Sequence, residues 1–417
     1  MPGGFMYNFL KKTDPEIYDI VMQETEKQQN TLGMIASENY ASMAVLEAMS
    51  TTLQNKYAEG YPGRRYYAGN KFVDISEQLA IDRLKKLYGA EHANVQPNAG
   101  SGANMAVYYA LLKPGDKILS MSLDQGGHLT HGSPVNFSGN LYKPVFYALD
   151  KETHRIDYDE VRKVALREKP KLVLSGFTAY PREIDFKKFQ EIAQEVGAYA
   201  MADIAHIAGL VAGKAHMSPV PYADVVTFTT HKTLRGPRGA AILSKEVHAK
   251  AIDKAVFPGL QGGPFEHVIA AKAVCFKEAM TIEFENYSHQ IVKNSRALAE
   301  SLIAHGFRLS TGGSDNHMVL VDLSSMPLTG KDGQEKLEEI GIIANRNMIP
   351  YDTRPPFVTS GLRLGTAVLT TRGFTESDMQ YVGDIIHKSL LTDVSRDAIK
   401  AEVLELCKKY PVYQNIK

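Results

Sequence analysis

Apolar positions along the middle of the chain alternate between two textures. Short runs rich in branched residues, at Lys117–Ser120, Leu172–Ser175, Tyr199–Ala202 and Val225–Thr229, each lead into a polar loop, and helical spacing separates them. Strands alternating with helices predict an α/β fold. In open sheets of this kind ligands gather in the loops beyond the carboxyl ends of the strands. One helix reads directly: Asp74 and Glu77 have the spacing of a capping box, Ile75, Leu79, Ala80, Leu84, Leu87 and Tyr88 supply an apolar face, and Gly89 stops it. A helical run Met105–Leu112 follows the small-residue segment Asn98–Asn104.

Near residue 285 the texture changes. A long helical pattern covers Asn286–His305, a strand follows at Met318–Leu323, and two further helical patterns occupy Thr375–Ser389 and Val394–Lys409. The expected organisation is an N-terminal arm over residues 1–30 with a polar helix Pro15–Asn30, a large domain over 31–285, and a smaller α+β domain over 286–417. A length of 417 residues fits more than one domain.

Composition narrows the function classes. The 47 basic and 47 acidic residues cancel, which argues against a nucleic-acid partner. Two cysteines, Cys275 and Cys407, are too few for a disulfide framework or a thiolate metal site and fit a reducing cytoplasm. No apolar run reaches membrane-spanning length, and the opening Met1–Phe5 lacks a basic-then-apolar leader, so the expectation is a soluble, cytoplasmic protein without a bound metal.

The candidate chemistry centres on Lys232, which closely follows the strand Val225–Thr229 within Thr229–Gly239. A lysine there can form a Schiff base with an aldehyde cofactor if its surroundings free the amine, although most lysines are solvated charges. Asp203 ends another strand. It could hold a pyridine nitrogen protonated or cap a helix, and His206 lies three residues on. Asn98–Asn104 reads as a phosphate cradle or a plain cap, with backbone amides free at a helix start. His128, flanked by glycines, could pack flat on a cofactor, and Arg363 could clamp a carboxylate through two points. In Asn55–Tyr67, four tyrosines and Glu59 among glycines and a proline suggest either a substrate loop or a packed aromatic interface.

In this order, from Ile35–Asn39 to Arg372-Gly373, the segments closely resemble the serine hydroxymethyltransferases, pyridoxal-phosphate enzymes of fold type I. Five stretches are specific to that family: Asn55–Tyr67, Gly126–Gly132, Thr229–Gly239, Phe257–Pro264 and Pro356–Gly361. The resemblance implies a mostly parallel seven-stranded sheet, pyridoxal phosphate carried covalently on Lys232, and tetrahydrofolate as cosubstrate. It also implies a homodimer with active sites shared across the interface. Asp203 would meet the ring nitrogen, His128 would stack on the ring, and His206 with Thr178 would contact its phenolic oxygen. Ser101, Gly100 and His231 would hold the phosphate, with Tyr57, Gly262 and Gly263 from the neighbouring subunit. Arg363 and Ser37 would bind the carboxylate of serine or glycine. Glu59 would act as acid and base, with Tyr67 beside it, and Tyr66, Tyr67, Leu123, Gly127, Leu129 and Asn347 would line the folate site. Asn98, Ala99 and Gly102 depart from the family's usual residues before the phosphate helix, but every proposed catalytic side chain is present. An α-methylserine hydroxymethyltransferase, a threonine or allo-threonine aldolase and, more distantly, a non-catalytic scaffold or nucleic-acid-binding protein are the alternatives.

Overall fold

The computed structural model describes residues 7–414 and Ile416. The opening segment, read above as lacking a leader, lies outside the described residues. A seven-stranded sheet runs in the spatial order His92–Asn94, Ala240–Ser244, Val225–Thr229, Tyr199–Asp203, Leu172–Gly176, Lys117–Met121 and Lys143–Tyr147. Five strands are parallel neighbours, and Ala240–Ser244 runs antiparallel to both of its partners. Three of the four strands predicted for this sheet extend one residue further than expected, and Val225–Thr229 matches. The strands Leu172–Gly176, Val225–Thr229 and Ala240–Ser244 are buried at every position, because helices cover both faces of the sheet. One core layer contains Leu119, Val173, Ala202 and Phe228; the other contains Ile118, Leu174, Met201 and Ile242. The alternation follows from side chains pointing to opposite faces along a strand. The carboxyl ends of the parallel strands consequently deliver Asp203 and the Thr229–Lys232 turn to the same edge.

A second sheet, antiparallel throughout, orders Arg308–Leu309, Met318–Asp322, Gly361–Gly365 and Asn345–Asn347. The helices Ile282–Ala304, Gly330–Glu339, Glu376–Leu391 and Arg396–Lys409 supply much of its core. Leu32 and Met34 belong to this second core, and Leu32–Gly33 pairs with Ile342–Ile343, whereas Ala36 belongs to the first. We propose to divide the chain around these two cores, counting Leu32–Met34 with the C-terminal one. Arg372 ties the terminal elements together: its guanidinium donates to carbonyls of Gln29 and Thr31 at the end of the helix Pro15–Asn30, and of Cys407 and Tyr410 at the end of Arg396–Lys409.

The helix Lys71–Tyr88 departs from the sequence reading in two respects. Asn70 is its N-cap, and Asp74 with Glu77 form no capping box; both instead bind Arg65 of the hairpin Gly60–Arg65. Its buried face is Val73, Glu77, Ala80, Leu84 and Tyr88, while Ile75 and Leu79, expected to be covered, stand exposed with Phe72 as a second apolar stripe. Gly89 does end the helix, at φ 69°.

Candidate active site

A cavity of about 390 Å³ opens where the two cores meet, beyond the carboxyl ends of Tyr199–Asp203 and Val225–Thr229. Its walls include Ser37, Gly100, Ser101, His128, Thr178, Asp203, His206, His231, Lys232 and Arg363. Ten sequence-proposed residues, drawn from seven separate stretches of chain, therefore face one space.

Asp203 is the most heavily bonded of them. Its Oδ2 accepts from Asn104 Nδ2 (2.8 Å) and His131 Nε2 (2.9 Å), and its Oδ1 accepts the Ala205 N–H (3.0 Å). Burial alone would raise its pKa. The hydrogen bonds from His131 and Asn104 outweigh that and hold the carboxyl well below the usual range. Since His131 Nδ1 accepts the His128 N–H, its Nε2 is the nitrogen that carries the proton towards Asp203. His128 itself is lowered to about 4, by burial first and His131 second, and presents a neutral ring. His206 is also pushed low by burial and lies 3.2 Å from His317 Nε2.

Lys232 is 9% exposed and lowered to about 8, chiefly by burial; Asp203 opposes the shift, while Arg363 and Arg238 add to it. About a tenth of its amine is thus free at pH 7, far more than for an ordinary lysine. Arg363, on the strand Gly361–Gly365, is buried as well. Its Nε donates to Asn345 Oδ1 (3.1 Å) and one terminal nitrogen to the Thr178 carbonyl (2.8 Å). No ion pair to a protein carboxylate satisfies it among the described residues, and burial lowers it to about 10. A buried guanidinium aimed at a cavity without a carboxylate partner is suited to an anionic ligand.

At the phosphate-like end, Gly100 and Ser101 open the helix Gly100–Leu111, whose cap residue Ala99 makes no side-chain cap bond. Its first amides remain available to a ligand. A Cβ on Gly100 would lie 2.7 Å from Thr229 Cγ2, so a glycine is needed for the helix to start this close to the strand end. His231 is lowered to about 4 by burial, then by Arg238, and its Nδ1 accepts the Gly239 N–H.

The remaining candidates do not line this cavity. Tyr57, Glu59, Tyr66, Tyr67, Gly262 and Gly263 form a separate module. The Tyr57 and Tyr67 rings meet edge to face at 5.0 Å, and Tyr66 meets Phe257 at 5.6 Å. Cβ positions on Gly262 and Gly263 would lie 3.3 Å from Glu59 Oε1 and from the Tyr57 ring. Tyr57, Tyr66 and Tyr67 are about half exposed or more. Arg65 clamps the hairpin from beneath, bonding Asp74 (2.8 Å), Glu77 (2.5 Å) and the carbonyls of Ala58 and Gly60. Leu123 and Leu129 are exposed near the cavity-lining His128, and Gly127 packs against the Met121 backbone. Asn347 bonds its neighbour's carbonyl, on the strand beside Arg363.

Sequence reasoning passed over Asn104, His131, Asn345 and His317, which hold Asp203, Arg363 and His206. Two carried a faint signal: Asn104 is one helical turn from Gly100, and His131 is three residues beyond His128. A family model for serine hydroxymethyltransferase matches residues 10–386. That span contains both the cavity and the tyrosine module, and the chain belongs to the serine hydroxymethyltransferase family of pyridoxal-phosphate-dependent transferases.

Proposed function

We propose that this chain transfers the hydroxymethyl carbon of L-serine reversibly to tetrahydrofolate, giving glycine and 5,10-methylenetetrahydrofolate, as a cytoplasmic homodimer. The observation that carries the reading is the convergence of a buried lysine with a lowered pKa, an ionised aspartate and a carboxylate-free buried arginine on one cavity. Pyridoxal phosphate fits these residues. Thr178 Oγ1 is buried without a hydrogen-bond partner, and the Gly100 helix start leaves amides free where no Cβ could stand. Lys232 would anchor it, Asp203 would face its ring nitrogen, and Gly100, Ser101 and His231 would hold its phosphate. When bound it supplies an electron sink for the pair left by Cα–Cβ cleavage.

The chain's own groups do the rest. Arg363, with Ser37, binds the amino-acid carboxylate and fixes which Cα bond stands across the cavity. Asp203, kept ionised by His131 and Asn104, holds a proton on the nitrogen opposite. Lys232, whose pKa burial lowers to about 8, would be the amine that anchors the cofactor and is displaced by the incoming amino acid. Glu59 would move a proton at the serine hydroxyl oxygen, with Tyr66, Tyr67, Leu123, Gly127, Leu129 and Asn347 around the folate. Glu59 and the tyrosines lie outside their own chain's cavity, and the helix Lys71–Tyr88 that follows them carries the exposed stripe Phe72, Ile75 and Leu79. That placement supports the hairpin, with Gly262 and Gly263, serving a second copy's cavity.

The test is a steady-state assay with serine against α-methylserine, with and without tetrahydrofolate, on protein showing cofactor absorption. Borohydride reduction and peptide mapping should label Lys232. A label on Lys214 or Lys245, or turnover of serine indifferent to folate, would overturn the proposal.

A further inference from the structure

One ammonium group holds the phosphate end of the cavity from behind. Lys272, within the helix Glu266–Ala279, is 1% exposed, and its Nζ donates to the carbonyls of Val95 (2.6 Å), Ala240 (2.8 Å) and Pro97 (3.0 Å). Those bonds use all three of its donors. The nearby carboxylate Glu77 is engaged by Arg65 and Gln96 instead, and burial raises Glu266 to about 9, leaving it protonated. Lys272 is therefore a buried cation committed to backbone oxygens.

The three carbonyls belong to the two segments that shape the cavity's phosphate end. Val95–Pro97 runs directly into Asn98–Ser101, and Pro97 O also accepts the Ala240 N–H. Ala240 follows Gly239, whose N–H reaches His231 and whose carbonyl accepts the Thr230 N–H. A Cβ on Gly239 would come within 2.6 Å of Lys272 Cε, so the backbone is fitted tightly to this side chain. Three carbonyl dipoles converging on a point repel one another unless a cation sits between them. A buried ammonium is also poor value for stability, since an apolar residue of the same volume commonly does as well.

We propose that Lys272 is a positioning residue for the cofactor phosphate, fixing the Gly100–Ser101 amides and the His231 turn at one spacing without touching the group itself. This rests on the cofactor assignment above. Burial pushes its pKa down to about 7, and the three accepting carbonyls favour the protonated form, the one with three donors.

Lys272→Met fills the same space without charge or donors, and Lys272→Gln retains two donors. Each full-length variant, freed of cofactor, is titrated with pyridoxal phosphate and, separately, with unphosphorylated pyridoxal; hydrogen exchange is followed at residues 98–101. The Met variant should bind pyridoxal phosphate at least about tenfold more weakly, which is about 1.4 kcal/mol, and the Gln variant should fall between it and the wild type. Pyridoxal affinity, and the serine KM at saturating cofactor, should stay within about twofold, a split that general destabilisation would not give. Exchange at 98–101 should quicken. Pyridoxal phosphate binding within about twofold of wild type in the Met variant, or equal loss of both aldehydes, would overturn the proposal. If Lys272→Met fails to fold, Lys272→Gln decides, and failure of both would mean a role in the whole fold. A wild type that takes up no pyridoxal phosphate would refute the cofactor assignment itself.

Discussion

Removing the Lys232 charge should stabilise the cofactor-free protein. The amine sits in the sheet-edge cavity at about 8 against an ordinary 10.5, so the folded chain disfavours its proton by about 3 kcal/mol. The sign follows from proton counting. Between about pH 8 and pH 10.5 the unfolded lysine is protonated more than the folded one, so wild-type stability rises with pH across that window. Below about pH 8 the penalty is fully present, and above about pH 10.5 both states are neutral and it vanishes. Lys232→Met keeps the stem and drops the charge. Urea-unfolding midpoints of both cofactor-free proteins, from about pH 6 to pH 10.5, should show the variant ahead at neutral pH and the gap closing as pH rises. Added pyridoxal phosphate should then favour the wild type, since binding to the native state adds stability by mass action. A pH-independent gap, or a variant weaker than wild type at pH 7, would refute the reading of a desolvated amine.

Arg363→Ala should raise the serine KM by two to three orders of magnitude, because truncation leaves a desolvated carboxylate unpaired at a cost of about 2–5 kcal/mol; Arg363→Lys should recover little, and near-normal serine binding by the lysine variant would end the clamp assignment. Glu59→Gln should lose nearly all folate-dependent transfer while keeping cleavage of allo-threonine, and parallel assays of one preparation read the ratio. Gly100→Ala forces a Cβ to 2.7 Å from Thr229, which should cost about 1–3 kcal/mol of stability and weaken pyridoxal phosphate uptake, measured by thermal melts and absorbance.

The strands and the ligand edge were legible because burial on both faces writes continuous apolar runs, and Val225–Thr229 and Leu172–Gly176 show them plainly. The helix Lys71–Tyr88 was legible in place but not in orientation. It carries two apolar stripes, and nothing in its spacing says that a buried arginine from the hairpin will claim Glu77 and turn that side inward. Lys232, Asp203 and Arg363 stood out because each follows or occupies a strand where ligands bind. Their supports did not. Asn345 reaches Arg363 across a strand pair, and Lys272 reaches Val95 from 177 residues away, distances that leave no local pattern.

The clamped hairpin has a genetic consequence. If Glu59 is lent and Lys232 is kept, the two lesions can complement one another. In a mixed dimer of Lys232→Gln and Glu59→Gln chains, one cavity collects both defects and the other collects neither. Equal random mixing makes half the dimers mixed, so about a quarter of all cavities would be whole although no chain is. Two individually dead preparations, exchanged and remixed, would regain folate-dependent turnover towards that ceiling. Two copies that each used their own Glu59 would regain none.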